Sequence, residues 1–534
     1  MENSSPFGIA MSQKERSKKQ NTYRLNLTEQ QLWMLTVATA AVYFVYSFFS
    51  DGFYQHDEIS HYLNMLNFWS DPKVILGNWA KPGFKLLYVL PVLGGHAAVL
   101  VMNCMISALA CAVAYKTAQK LGVTNPLFAF ALLALQPMWL QLSFRTYSEP
   151  ISALLLIAAL YCHFDGKKIF ASGLLSYATM VRQEFFVLLA IYALYLLVKR
   201  DFLAVAMAAV FPLLTNFAGY LATGDILSLY TSTVKTGTVY EGNYPKQGFE
   251  HYFLMSPTIF GLLALTLLIA YVALVLIKQE KANYFLIIPS TVYFLLHCLF
   301  NTQSLSVGAS TGGNLRYLIV IAPVFAVMGA LAAEKIVKME KRASLLFALV
   351  PFVLAVGIWA TFEHNNVVLS PDVRDAVPLL LATVTVLAVM TIRSSRLMFL
   401  FVLSAAIVFA FIVVKPLRMS AEDMQIKASA EWAKTQHIEN TPVLANHDLF
   451  FYFYGKSGNR FAHGSASIDS ETVTKAPVGS YIFWDSHYSF RPEWNPKMVQ
   501  YDYFLSRPAQ FKVVREFVTP DRRFGLLVFQ KIAL

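Results

Sequence analysis

The sequence predicts an α-helical polytopic membrane protein with a small α/β domain at its C-terminal end. Of the 534 residues, 56% are hydrophobic and only 14% are charged, whereas soluble globular proteins carry about 25% charged residues. Apolar runs of about 17–25 residues recur along most of positions 31–415, and a run of that length can cross a hydrocarbon core of roughly 30 Å as a helix. The remaining segment is more polar and has short strand-like runs, which indicates a folded domain outside the membrane.

The apolar runs predict about thirteen membrane spans. They cover residues 31–50, 96–115, 126–142, 147–164, 169–181, 185–198, 202–222, 255–277, 284–300, 317–333, 344–361, 376–391 and 397–414. We therefore divide the chain into an N-terminal segment 1–30, a transmembrane domain 31–415 with a first outer loop 51–95, and an extracytoplasmic domain 416–534.

The basic residues predict the orientation. Clusters such as "KERSKK", the Lys199–Arg200 pair and 335–342 lie in the short segments on one side of the predicted membrane, and Lys and Arg favour the cytoplasmic side. This places the N-terminus in the cytoplasm, and an odd number of spans places the C-terminus outside, as for a multi-pass protein of a bacterial inner membrane. The same clusters account for the net charge of +11, so we exclude a nucleic-acid partner.

The segment 416–534 alternates a helical pattern with strand patterns. The run "AEDMQIKASAEWAK" predicts a helix, and "TPVLANH", "SYIFWD", "QFKVVREF" and "FGLLVFQ" predict strands because they are short, apolar and rich in β-branched or aromatic residues. A small α/β domain follows from this order.

Two adjacent carboxylates, Asp57 and Glu58, open the first outer loop in "YQHDEISHYLNMLNFW". Behind them, Ile59, Leu63 and Leu66 repeat at helical spacing, which predicts an amphipathic helix lying in the membrane interface. The N-terminal end of a helix favours negative charge. Asp57 therefore suits a general base or an electrostatic stabiliser, and the alternative is a helix cap beside an exposed acid.

Four cations lie in the outer loops or at their boundaries with the spans: Lys81, Arg145, Arg182 and Arg316. Together they indicate a site for the phosphate of an anionic lipid. The alternatives are anchoring to lipid head groups, and for Arg182 an ion pair with nearby Glu184.

Two outer loops carry further candidate binding residues. The loop 223–253 is long and rich in tyrosine, so it suits a lid or a substrate loop, although tyrosines also form ordinary interfacial belts. The Gly- and Ser-rich run "NTQSLSVGASTGGN" leads directly into Arg316 and suits a gate. The candidate substrate-binding residues are His56, Glu149, Tyr240, Tyr244 and Tyr317.

These features together resemble the GT-C superfamily of membrane glycosyltransferases. The resemblance covers the architecture of about the first 415 residues, and its specific motifs are "HDE" at 56–58, "KP" at 81–82 and the boundary arginines in "RTYSEP" and "NLRY". Protein O-mannosyltransferases and lipid A aminoarabinose transferases are the most similar members. "HDE" is similar to the "HPDE" of lumenal mannosyltransferases but lacks the Pro, and Ala80 stands where aminoarabinose transferases have a Glu before "KP".

The resemblance implies transfer of a sugar from a polyprenyl-phosphate donor to a lipid, glycan or protein acceptor, with inversion at the anomeric carbon. It further implies that Asp57 is the catalytic base and that Lys81 and Arg316 lie near the donor phosphate. Whether Glu58 or Glu149 supplies a second acid stays open. The chemistry agrees independently, because a sugar on a lipid phosphate needs a base for the acceptor hydroxyl and cations for the leaving phosphate.

Two other classes of protein fit parts of the pattern. One is a transporter or flippase of a lipid-linked or anionic substrate, and the other is a ligase or polymerase that joins lipid-linked glycans. No nucleotide cofactor is required. A divalent metal stays an open alternative, with Asp57, Glu58 and Asp71 as its candidate ligands.

Overall fold

The structure, a computed structural model, describes residues 26–76, 81–233, 247–301 and 313–360. In the C-terminal part it describes 414, 416–436, 438, 441–455, 468–489, 491 and 497–533. Two of the predicted spans, 376–391 and 397–414, therefore lie almost entirely outside the described residues. The described chain consists of a large helical part followed by a small four-stranded sheet with flanking helices.

The helices of the membrane part follow the predicted spans closely. They are α1 Glu29–Ser47, α2 Asp57–Asn67, α3 Pro82–Leu86, α4 Gly95–Lys120, α5 Leu127–Ala134, α6 Pro137–Leu142, α7 Ser148–Phe164, α8 Lys168–Val181, α9 Phe185–Val198, α10 Phe202–Thr223, α11 His251–Phe260, α12 Leu262–Leu276, α13 Tyr284–Phe300, α14 Ala322–Lys338 and α15 Lys341–Ala360. Short 3-10 helices cover Pro72–Ile75, Pro91–Gly94 and Leu315–Ile321.

Two predicted spans are broken rather than continuous. The span 126–142 divides into α5 and α6, with Pro137 at the first position of α6, where a missing backbone N–H costs nothing. The span 255–277 divides at Gly261 into α11 and α12, which are bent by 120°. Gly261 has φ 81° and ψ 153°, a conformation open essentially to glycine alone. An apolar window does not reveal such a bend.

The described helices confirm a multi-pass integral membrane protein. Three helical segments in the described ranges are long and apolar enough to cross a membrane, namely Pro91–Lys120, Phe202–Thr223 and Leu315–Lys338, and the bent pair α11 and α12 makes a fourth. Shorter apolar helices of 10–17 residues accompany them. The total of thirteen spans stays a prediction.

The C-terminal part forms the α/β domain that its patterns predict. Its elements are α16 Ala421–Thr435, β1 Val443–Ala445, α17 Asp448–Tyr454, α18 Ser470–Lys475, β2 Tyr481–Asp485, α19 Tyr501–Leu505, β3 Phe511–Val518 and β4 Gly525–Lys531. The strand order is β1-β2-β4-β3. The β1–β2 pair is parallel, and the other two pairs are antiparallel. All four strands and the helix match the runs identified in the sequence.

The helix α2 packs against this C-terminal domain, which corrects the prediction for its apolar stripe. Ile59 and Leu63 are fully buried in one core with Ile426 and Phe450 of the domain. The stripe therefore has a protein partner instead of the lipid interface. Hydrophobic spacing predicts which face of a helix is buried but does not distinguish between lipid and protein as its partner.

The chain segment that enters the C-terminal domain runs directly against the first outer loop. The backbone N–H of Gly52 donates to the carbonyl oxygen of Leu417 at 3.0 Å. A Cβ atom at Gly52 would lie only 2.1 Å from the carbonyl oxygen of Arg418, so a side chain is excluded there. This contact fixes the first outer loop and the start of the domain side by side.

Candidate active site

The centre of the candidate site is a row of alternating charges that begins at Asp57. The Nη2 atom of Arg316 lies 2.8 Å from Oδ2 of Asp57, and its Nε atom lies 3.3 Å from Oε1 of Glu149. Asp57 is the first residue of α2, Arg316 lies in the 3-10 helix Leu315–Ile321, and Glu149 lies in the first turn of α7. Three segments far apart in sequence therefore contribute to one ion-pair row.

The row continues from Glu149 to Arg182 and Glu184. Arg182 donates to Oε1 of Glu149 at 2.6 Å and to Oε1 of Glu184 at 2.7 Å. The side chains of Glu149 and Arg182 are 0% and 4% exposed. Charges this deeply buried require partners, so the ion pair with Glu184, one of the sequence alternatives for Arg182, is confirmed and extended into a network.

Lys81 lies beside this row in a strained backbone conformation. Its φ of 54° is left-handed, which is uncommon for a residue other than glycine and occurs often at functional sites. The Nζ atom donates to Oγ of Ser148 at 2.9 Å, one residue before Glu149. Burial lowers the pKa of Lys81 from its ordinary 10.5 to about 8, against the opposing effect of Glu149.

Glu58 and Arg145 form a separate buried pair on the other side of α2. Arg145 Nη1 lies 3.2 Å from Oε1 of Glu58 and donates to the carbonyl oxygen of Gly52 at 2.6 Å. The backbone N–H of Tyr54 donates to the same Glu58 oxygen. Burial raises the pKa of Glu58, and the Arg145 charge opposes this shift. The side chain of Glu58 is only 2% exposed, which suits a structural role better than contact with a substrate.

Aromatic rings pack against the two central arginines. The guanidinium of Arg316 lies 4.4 Å from the ring centroid of Tyr147, and that of Arg182 lies 4.6 Å from the centroid of Tyr317. Tyr317 stacks in turn on His297. Such cation–π contacts hold each guanidinium in place while leaving its edge available to ligands.

Arg316 keeps donor capacity for a further anion. Among the described residues, its Nη1 atom has no hydrogen-bond partner although it is buried, and the geometry at Nε is too poor for a hydrogen bond to Glu149. A buried donor without an acceptor costs about 1–3 kcal/mol. An oxygen atom of a phosphate group would satisfy it and gain charge assistance.

Exposure separates Asp57 from the other carboxylates of the site. The side chain of Asp57 is 36% exposed, whereas those of Glu149 and Glu58 are 0% and 2% exposed. A molecule arriving from outside can therefore reach Asp57 and not the other two. In chemical terms, the site offers one accessible carboxylate joined to a buried set of cations.

Of the remaining candidate residues from the sequence, some lie in the charged network and others lie elsewhere or outside the described residues. Tyr317 lies beside Arg182 in the network, whereas His56 faces the C-terminal domain, with Nε2 at 2.8 Å from Oδ1 of Asp423. Tyr240 and Tyr244 lie outside the described residues, as does Ala80. Tyr252, at the end of the proposed lid, is fully buried in α11 and donates to the carbonyl oxygen of Asn314.

Sequence reasoning missed several residues of the site. Tyr147, Ser148 and His297 contact the charged row, but none of them was singled out from the sequence. Tyr147 and Ser148 directly precede Glu149 in "RTYSEP", and this proximity was the available signal. His297 lies within an apolar run, where an ionisable residue is itself unusual.

Comparisons with solved structures support one architecture for the whole chain. The crystal structure of ArnT from Cupriavidus metallidurans bound to undecaprenyl phosphate matches with a TM-score of 0.58 at 13% identity, over 94% of this chain and 98% of the ArnT chain. The chain has the fold of ArnT. ArnT in the apo state matches with a TM-score of 0.56 at 12% identity, over 93% and 97% of the two chains.

The fold shared with ArnT agrees with the architecture that the sequence predicts, a helical membrane part followed by a small α/β domain. The match includes the C-terminal domain, because it spans nearly all of both chains. Neither the known protein families nor the curated proteins give a match. The activity must therefore be argued from the chemistry of the site.

Proposed function

We propose that the protein is an integral membrane glycosyltransferase that moves a sugar from a polyprenyl-phosphate donor to an acceptor on the extracytoplasmic face. The observation that carries the proposal is the contact between the accessible carboxylate of Asp57 and the buried guanidinium of Arg316. A base and a phosphate-binding cation are the two groups that this reaction needs. ArnT, which shares the fold, was crystallised with undecaprenyl phosphate, and this supports a lipid phosphate as the donor carrier.

Lys81, Arg316 and Arg182 would hold the donor phosphate. Their charges are offset here by Asp57, Glu149 and Glu184, so the set is close to neutral before the donor binds. The Nη1 atom of Arg316 and the Nζ atom of Lys81 are the groups best placed to donate to phosphate oxygens. Arg145 is set apart from these cations because its Nη1 atom already donates to Glu58 and to a backbone carbonyl, although among the described residues its Nε and Nη2 atoms have no hydrogen-bond partner.

Asp57 would act as the base that removes the proton from the acceptor hydroxyl. In this arrangement Arg316 contacts one oxygen of the carboxylate, Oδ2. A phosphate that binds to Arg316 competes with Asp57 for the guanidinium and releases the carboxylate for the acceptor. Attack on the anomeric carbon from the face opposite the phosphate then gives inversion, and the cations stabilise the departing phosphate.

The sugar and the acceptor class are the open part of the proposal. The acceptor is a lipid, a glycan or a protein that reaches Asp57 from outside the membrane. The test is mass spectrometry of envelope lipids, glycans and proteins from cells with and without the chain, paired with the purified protein and a polyprenyl-phosphate sugar. One added sugar on a single acceptor supports the proposal. Transfer of a preformed polymer, or unchanged lipid moved across the bilayer, would indicate a ligase or a transporter instead.

A further inference from the structure

A second cluster of reactive side chains lies where the first outer loop meets the C-terminal domain. It consists of His56, Glu422, His447 and His487. His56 precedes α2, Glu422 lies in the first turn of α16, and the other two follow strands β1 and β2. Each residue offers one ligand atom, and the four atoms all lie within 4.8 Å of one another. None of these residues belongs to the row of charges around Arg316.

The carboxylate of Glu422 is the centre of the cluster. Its Oε1 atom lies 2.7 Å from Nδ1 of His487 and 3.1 Å from Nε2 of His447. The side chain of His447 is only 1% exposed. Two imidazole nitrogens from different loops therefore converge on one carboxylate oxygen, with His447 buried and Glu422 and His487 partly exposed.

His56 completes the set through its second ring nitrogen. Its Nε2 atom lies 2.8 Å from Oδ1 of Asp423, and its Nδ1 atom lies 3.3 Å from the hydroxyl of Tyr488. A proton on Nε2, held by the Asp423 carboxylate, leaves Nδ1 as an acceptor, and a metal ion would take this lone pair in place of the Tyr488 hydroxyl. This arrangement of carboxylate, histidine and open nitrogen is typical of metal ligands, whose other ring nitrogen donates to an acceptor. Asp423 is itself fixed, because it accepts from the backbone N–H of Ser420.

We propose that these four residues bind one Zn²⁺ ion. Three imidazole nitrogens and one carboxylate oxygen form the kind of ligand set that Zn²⁺ takes in tetrahedral geometry. Bonds of about 2.0–2.1 Å to zinc place tetrahedral ligand atoms about 3.3 Å apart, so the most separated pair must approach by roughly 1.5 Å. Side-chain rotations of the ligands would have to supply this change.

Binding has one identifiable cost at His447. Its Nδ1 atom accepts from the backbone N–H of Leu449 at 3.2 Å, which caps α17. Coordination through Nε2 requires a proton on Nδ1 and therefore breaks this contact. His447 thus loses a helix-capping hydrogen bond when it binds the metal. We expect His56, Glu422 and His487 to be the stronger ligands.

The ion would join the first outer loop to the C-terminal domain. His56 immediately precedes Asp57 in sequence, whereas the other three ligands belong to the domain. A metal bond at His56 would thus hold the start of α2 at a fixed position relative to the domain. The assignment stands independently of the proposed glycosyl transfer, because it rests on a different set of residues.

The test is metal binding by the purified full-length protein in detergent. Chelator-treated protein is titrated with ZnCl₂ against a chromophoric competitor, and Co²⁺ is used as a spectroscopic probe. We expect one Zn²⁺ per chain, a Co²⁺ spectrum typical of four-coordinate geometry and a higher Tm with zinc. His487→Ala and Glu422→Gln should each weaken binding at least tenfold, and Asp423→Asn should weaken it about 10–100-fold.

The matched control is His163→Ala, since His163 stacks on Phe285 at the far end of α7. This variant should bind zinc as tightly as the wild type. The proposal is overturned if folded wild-type protein binds no stoichiometric zinc. It is also overturned if the His487 and Glu422 variants keep wild-type affinity. Neither result would bear on sugar transfer, which is measured separately.

Discussion

The guanidinium of Arg316 contacts the carboxylate of Asp57 at 2.8 Å. The same guanidinium also faces the buried Glu149, so one cation lies between an accessible acid and an inaccessible one. In the proposed reaction this contact couples two events, since the phosphate that binds Arg316 frees the carboxylate of Asp57. Donor binding and base activation are therefore expected to depend on the same residue.

Removal of the phosphate-binding cations should weaken donor use. Lys81→Ala and Arg316→Ala are each expected to raise the Kd for polyprenyl phosphate about 10–100-fold, because a hydrogen bond to a charged group contributes about 1.5–3 kcal/mol. Binding is measured by titration calorimetry in detergent. Lys73→Ala, an exposed lysine in the same loop, is the control and should bind normally. Unchanged affinity in both site variants would assign these cations to the membrane interface.

Donor binding should weaken as the pH rises above neutrality. Burial lowers the pKa of Lys81 to about 8, so the ammonium is mostly charged at pH 7 and mostly neutral at pH 9. We expect the KM for the donor to increase across this window. In Lys81→Arg the increase should disappear, because a guanidinium stays charged.

As the pH rises, the contribution of Lys81 to protein stability should change in the direction opposite to its contribution to donor binding. The folded-state pKa of Lys81 lies below its ordinary 10.5, so the unfolded chain binds more protons between about pH 8 and pH 10.5. The contribution of Lys81 to the free energy of unfolding therefore rises with pH in that window. A fall in Tm that parallels the rise in KM would contradict the binding explanation.

Glu58 should prove structural when its charge is removed. Glu58→Gln keeps an acceptor for the N–H of Tyr54 but leaves the buried Arg145 without a carboxylate partner. Breaking a buried ion pair from one side costs about 3–5 kcal/mol. We expect a clear fall in Tm, with turnover of the folded fraction within a few-fold of wild type. Loss of turnover at unchanged Tm would instead place Glu58 in the catalytic machinery.

The first outer loop and the C-terminal domain should lie on the same, non-cytoplasmic side. Ser70→Cys and Val478→Cys introduce thiols at exposed positions of these two parts. Both should react with a membrane-impermeant maleimide in intact cells. Lys199→Cys, in a predicted inner loop, should react only after permeabilisation. Opposite accessibility of positions 70 and 478 would exclude the structure's contact between His56 and Asp423 as well as the predicted topology.

Hydrophobic periodicity was sufficient for most of the helical architecture. Spans such as 147–164, 185–198 and 284–300 coincide with α7, α9 and α13 within a residue or two, because an apolar segment in lipid must satisfy its backbone hydrogen bonds internally, as a helix does. The bend at Gly261 escaped prediction. The average hydrophobicity of a segment depends on its composition, so it cannot reveal a single residue with a positive φ.

The grouping of charged residues was predictable from the sequence, but their pairings were not. Mixed charges at the ends of apolar runs indicated an anion site, and Arg182, Arg316 and Glu149 do meet there. Which acid pairs with which cation depends on tertiary packing. The sequence favoured Asp57 as the base but could not show the partner of either acid, whereas the structure pairs Asp57 with Arg316 and Glu58 with Arg145. Likewise, no sequence motif could predict that His56 lies beside Glu422, His447 and His487, which follow it by more than three hundred residues.

The rate of sugar transfer by purified Asp57→Asn protein tests the central claim most directly. Asparagine has nearly the same size but cannot act as a base, so the variant should fold and still bind polyprenyl phosphate. Its turnover with a polyprenyl-phosphate sugar should fall about 10²-fold or more, whereas Asp71→Asn, which keeps an acceptor for the N–H of Lys73, should match wild type. Near-normal transfer by Asp57→Asn would contradict the account.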